Sequence, residues 1–170
     1  STAVGVGATR PDAALAPRLA EILQREQGRA VHWQVVGQNG IKAAALADRL
    51  RRHRDLLAAD DAVVLLGAND TSGLTAIRRW RRDLGTVVDL LGECCGRIFL
   101  APVPPFHLFR LLPYPLRWLL GHRGLALCVD RRPLGEADHV IVMEGDFPSG
   151  RRYQAADGYH PSDLAYETWA

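Results

Sequence analysis

At 170 residues, with 48% hydrophobic and 24% charged side chains, the chain has the composition of one globular domain able to bury a core, which sets aside disordered and fibrous classes. The net charge of +2 is too small to mark a nucleic-acid partner, and the arginine clusters at Arg78, Arg79, Arg81 and Arg82 and at Arg49, Arg51, Arg52 and Arg54 read as water-facing sides of helices. Cys94 and Cys95 are adjacent and Cys128 stands alone, which is neither a metal-ligand spacing nor a disulfide framework, and no apolar run is long enough to span a bilayer.

Residues 1–8, Ser-Thr-Ala-Val-Gly-Val-Gly-Ala, read as a strand-to-helix loop with no strand before it. An upstream segment with at least one strand is expected, and any targeting or anchoring sequence would lie there, so an exported, periplasmic or cytoplasmic location stays open. The spacing of Leu15, Leu19, Ile22 and Leu23 predicts a helix over 14–27, with Pro17 in its first turn and Gly28 at its stop. Val31, Trp33, Val35 and Val36 read as a strand ending at Gly37. Ala43 to Leu57 carries a helical stripe through Leu46, Leu50 and Leu57.

Ala62 to Leu66 is a short apolar run between acids and a glycine, the pattern of a strand buried on both faces. A helix over 75–93 follows from Ile77, Trp80, Leu84, Val87, Val88 and Leu91, and Arg97 to Ala101 and His139 to Met143 read as further strands. Pro102 to Leu120 is too proline-broken for a long helix before Leu116 and too apolar for a loose loop, so it must pack on something. Leu164 to Ala170 reads as the first turns of a helix, and both ends read as trimmed. Strand and helix alternate throughout. This argues for a parallel sheet with helices on both faces, a class that holds its ligands at the carboxyl ends of the strands.

Asp157-Gly158-Tyr159-His160-Pro161 places an acid three residues before a histidine that the following proline biases out of helix. Such a loop lets the carboxylate accept from Nδ1–H and leaves Nε2 as a base. Ser1 offers a hydroxyl, Gly37-Gln38-Asn39-Gly40 offers backbone N–H groups, and Gly67-Ala68-Asn69-Asp70 offers a side-chain amide. A nucleophile, a base with its orienting acid and two sources of oxyanion donors are the parts needed for acyl transfer. Asp70 is read as orienting its loop.

These stretches resemble, in order and over nearly the whole chain, the four marker blocks of the SGNH hydrolases, also called GDSL-type esterases and lipases. Ser1 matches the serine block with its Gly and Asp upstream, Gly40 the glycine block, Asn69 the Gly-x-Asn-Asp block, and Asp157 with His160 the Asp-x-x-His block. The resemblance implies a single domain with a three-layer α/β/α flavodoxin-like fold, and ester hydrolysis through an acyl-enzyme. It implies a triad of Ser1, His160 and Asp157 and an oxyanion hole from the N–H groups of Ser1 and Gly40 and the amide of Asn69, with no cofactor or metal.

The stretch from Pro102 onward reads either as a long connection folded onto the core or as an apolar wall beside Ser1, in which Phe106, Leu108, Phe109, Tyr114 and Trp118 would receive a small-molecule or lipid ester with a short-to-medium acyl or aryl group. His107 and His122 in the same stretch have no ligand spacing and read as surface or packing residues. Thioester cleavage, removal of polysaccharide O-acetyl groups and a non-catalytic binding role use or inherit the same scaffold and stay open. An N-terminal nucleophile at Ser1, activated by its own amine, is a further alternative that would leave Asp157 and His160 another task. The sequence leaves the oligomeric state open.

Overall fold

The computed structural model describes residues 2–54, 57–109, 111–145, 147 and 150–170. These form an α/β structure with one three-stranded parallel sheet, β1 (Ala59–Val64), β2 (Cys95–Leu100) and β3 (Val140–Val142), in the order β1-β2-β3. Two compact units are distinguished: Ser1–Gly40 with Leu108–Leu112 and Phe147–Ala170, and Ile41–His107 with Pro113–Asp146.

The first unit is helical. Helix α1 (Leu15–Gln27) ends where Gly28 turns left-handed at φ 64° and donates its N–H to the Gln24 carbonyl, a stop that glycine adopts at no steric cost. Helix α6 (Asp163–Trp169) starts at Ser162, whose hydroxyl accepts the Ala165 N–H. The two helices pack against each other and share the Arg18–Glu167 ion pair. Residues 31–36 belong to no strand, contrary to the sequence reading, although their alternating β-branched side chains fit one. A strand exists only when a neighbour completes its hydrogen-bond ladder, and none of the three described strands pairs with this segment. Trp33 and Val35 remain exposed.

The second unit holds the sheet. Register pairs Val64 with Leu100 and Leu100 with Val142, and helices α4 (Ile77–Gly92) and α5 (Leu116–Asp130) make the two crossovers. Helix α2 (Ala43–Arg52) packs on α4, and α4 on α5, where buried Trp80 donates its indole N–H to the Leu127 carbonyl. Val64, Ile98, Leu100 and Val140 are buried, whereas Val63 and Ile141, both in register with Phe99, keep 42% and 38% of their surface exposed. On β1 Val64 is buried and Val63 is exposed, so the expectation of burial on both faces is not met: the second-face row of Val63, Phe99 and Ile141 is only partly covered.

Arg131, 1% exposed, closes the carboxyl ends of the sheet by donating Nη1–H to Leu100 O at 3.0 Å and Nη2–H to Met143 O at 2.6 Å. Hydrogen bonds from a buried charge are among the stronger ones, and their loss leaves buried carbonyls behind. Arg131→Ala is expected to lower unfolding stability by about 3 kcal/mol, read as a shift of the urea midpoint with an unchanged slope.

Candidate active site

Residues 153–162 form a closed loop that presents His160. Gln154 and Pro161 pair across its base in an antiparallel bridge, Ala155 N–H bonds His160 O at 2.8 Å, and Ser162 N–H bonds Tyr153 O at 2.9 Å. At the tip Gly158 is left-handed, φ 66°, which allows the tight return. Asp157 fastens the turn from inside: its Oδ1 accepts the N–H groups of Tyr159 and His160, each at 2.9 Å, and its Oδ2 lies 2.6 Å from His160 Nδ1. The short acid-to-histidine spacing and the proline after it therefore do what the sequence reading expects locally. Nδ1 is occupied by the carboxylate, so Nε2 is the nitrogen available for proton transfer.

The hydrogen bond from His160, aided by the Tyr159 N–H, lowers the Asp157 carboxyl to about 2. A folded-state value below the ordinary carboxylate value near 3.9 means that this contribution to stability is present above about pH 4 and is lost as pH falls towards 2. Asp157 is half exposed, so solvent screening keeps the contribution small. The difference in melting temperature between wild type and Asp157→Asn is expected to shrink between pH 5 and pH 2, and to stay level above pH 5.

Ser1 lies outside the described residues. The loop that follows it is bound to the histidine loop and to α6. Gly7, at φ 98°, passes so close that a Cβ there would stand 2.4 Å from Pro161 O and 3.0 Å from His160 Cβ. Tyr166, fully buried, donates its hydroxyl to Val6 O at 2.7 Å, and burial pushes its phenol pKa above the usual value. Thr9 N–H donates to Asp163 Oδ1 at 2.9 Å, and the Thr9 hydroxyl to Oδ2, which lowers the Asp163 carboxyl. These ties span more than 150 residues of sequence, and no local pattern announces them. Gly7 and Tyr166 are the positioning residues that sequence reasoning does not single out.

Tyr159 adds an apolar side to the site. Its ring meets the His160 imidazole edge-on at 5.2 Å and lies 5.4 Å from the Phe109 ring, and burial raises its phenol. Of the expected apolar wall, Leu108 and Phe109 belong to this first unit, with Leu108 exposed. Phe106, Tyr114 and Trp118 belong to the second unit, where Phe106 is buried in the interior and Tyr114 and Trp118 face outward.

Gly40 ends the first unit with φ 77°, a left-handed value that disfavours any side chain, although a Cβ there would meet open space. Asn69 sits in the second unit, on the short helix α3 (Ala68–Ser72), which follows Gly67 at φ 105°. A Cβ at Gly67 would stand 2.5 Å from Val103 Cγ2, so glycine is required there. The Asn69 amide donates one N–H to Ile41 O at 3.0 Å, and its second N–H has no partner among the described residues.

Buried Asp70 accepts the Ala43 N–H at 3.1 Å, capping the first turn of α2 from another segment. Burial raises its carboxyl, with the Ala43 bond opposing. Asp70 thus holds the α3 loop in place. Among the described residues no group of three or more His, Cys, Asp or Glu side chains is arranged to hold a metal ion, and no described helix is long and apolar enough to cross a membrane.

Taken by itself, a carboxylate-oriented imidazole beside the loop that leads from a serine can move protons to and from an attacking hydroxyl. The model of the GDSL-like lipase/acylhydrolase family matches residues 1–168. No curated protein matches the chain.

Proposed function

The chain belongs to the GDSL-like lipase/acylhydrolase family, a family of ester hydrolases, and on that premise we propose that it cleaves carboxylic esters through an acyl-enzyme on Ser1. Ser1 Oγ attacks the ester carbonyl carbon while His160 Nε2 takes the hydroxyl proton. The tetrahedral intermediate collapses, the C–O bond to the leaving alcohol breaks, and His160 returns the proton to that alcohol. Water then attacks the acyl-enzyme by the same proton path and releases the acid and Ser1. Asp157 orients the imidazole and stabilises its protonated form.

The oxyanion receives the N–H groups of Ser1 and Gly40 and the second amide N–H of Asn69, in a single three-layer α/β/α domain of flavodoxin-like type. The observation that carries this reading is the Asp157–His160 pair at 2.6 Å, in a loop against which the residues after Ser1 are packed through Gly7. Phe109 and Tyr159 extend from His160 as an aromatic side, which favours short-to-medium acyl or aryl esters. Thioesters suit the same machinery, since the attacked carbonyl is alike.

Hydrolysis of p-nitrophenyl esters from acetate to decanoate, by wild type and Ser1→Ala side by side, tests the proposal. Turnover in the wild type that disappears in Ser1→Ala supports it, with Phe109→Ala moving the preferred chain length. Undiminished turnover in Ser1→Ala, or no turnover of any ester or thioester by the wild type, overturns it.

A further inference from the structure

Helix α5 is apolar on both sides. Leu120, Gly121, Gly124 and Leu127 are buried against its own unit. On the opposite side Trp118, Leu125 and Val129 follow one another at helical spacing and stay 53%, 53% and 56% exposed, and Tyr114, just before the helix, is 74% exposed. The one polar ring in that stripe, His122, stacks on Trp118 with ring centroids 4.4 Å apart and bonds the Trp118 carbonyl through Nδ1. A helix that has already buried one face leaves a second apolar face to water at a cost, and such a patch marks a docking surface.

Charge identifies the occupant. Helix α5 itself carries Arg117 and Arg123 and one acid, Asp130. Beside α5, joined to it through Trp80–Leu127 and Arg81–Asp130, helix α4 exposes Arg78, Arg79, Arg81 and Arg82. The acids on the two helices are Asp83, which takes Arg79 and Arg82, Asp130, which takes Arg81, and exposed Asp89, so six arginines stand against three acids and the helix pair is net positive. A twofold contact with a second copy would set this positive face against itself. Anionic headgroups complement it, the Tyr114 and Trp118 rings suit the headgroup level, and Leu125 and Val129 suit the acyl boundary.

We propose that the exposed face of α5, together with the arginines of α4, docks the protein on an anionic phospholipid surface. The protein lies on the bilayer there without crossing it. This inference is independent of the hydrolytic reading.

The test is co-sedimentation of the intact protein with phosphatidylcholine vesicles prepared with or without phosphatidylglycerol, at low and high salt, alongside light scattering of the protein alone. The variants are Leu125→Glu/Val129→Glu and Arg78→Ser/Arg82→Ser, on exposed positions, with folding checked by circular dichroism. Wild type should partition onto the anionic vesicles, more weakly in salt. The arginine variant should bind about fivefold less tightly per arginine removed, and the glutamate variant should not sediment. The proposal is overturned by absence of binding to anionic vesicles, by equal binding to neutral ones, by binding that ignores the stripe variant, or by a wild-type dimer that the stripe variant converts to monomer.

Discussion

Replacing His160 with alanine should lower kcat/KM for an ester substrate by about four to six orders of magnitude while leaving the circular dichroism spectrum unchanged. The size follows from the role. In the proposed mechanism, loss of Nε2 would leave the Ser1 hydroxyl without an acceptor for its proton at neutral pH and the leaving alkoxide without a donor. Structural damage should be slight, because the loop is closed by the Gln154–Pro161 bridge and by the Asp157 bonds to backbone N–H groups, none of which uses the imidazole. Residues acting as one unit are strongly non-additive, so Ser1→Ala/His160→Ala should be no slower than either single variant. A product of the two losses would show that they act in separate steps. Asp157 is ionised throughout the neutral range, so Asp157→Asn should lower the rate across the whole range above about pH 4.

Asn69→Ala should lower kcat by about 10²- to 10³-fold with KM little changed, the signature of a donor that acts on charge developing in the transition state. The amide is held by one N–H, bonded to Ile41 O, and by its loop, which Asp70 fastens to the start of α2. Losing the Ile41 bond should also cost about 1 kcal/mol of stability, a size that leaves the protein folded. A variant that changed KM alone would place Asn69 in ground-state binding and remove it from the oxyanion hole.

Local pattern was enough to read the elements whose cause is local. Helix α1 announces itself by the recurrence of Leu15, Leu19, Ile22 and Leu23 and by Gly28; α4 does so by its stripe from Ile77 to Leu91, and β2 by the short apolar run after Arg97. Helix α5 is less legible because apolar side chains all round it erase the helical period, and because Gly121 and Gly124 look like breakers. Both are packing devices: a Cβ at Gly121 would stand 2.8 Å from His107 Cβ. Val31 to Val36 carries a strand pattern, yet pairing depends on a neighbour that the pattern does not contain.

The same division holds in the site. Asp157 and His160 are three residues apart and were readable as a pair, and the structure joins them. The approach of Gly7 to Pro161 and the bond from Tyr166 to Val6 are long-range facts. Glycine at residue 7 suits its left-handed backbone, but what it makes room for is visible only in three dimensions. Arg131 is the opposite case: an arginine after a helix reads as a surface charge, and here it is buried against two strand ends.

The proposed nucleophile is Ser1, and its proposed activator is His160. The most direct measurement is treatment of the intact protein with a fluorophosphonate, followed by digestion and mass mapping of the modified peptide, in wild type and in His160→Ala. One phosphonyl adduct on Ser1 is expected in the wild type and none in the variant over the same time. An adduct on another residue, or equal labelling of Ser1 with and without His160, would contradict this assignment.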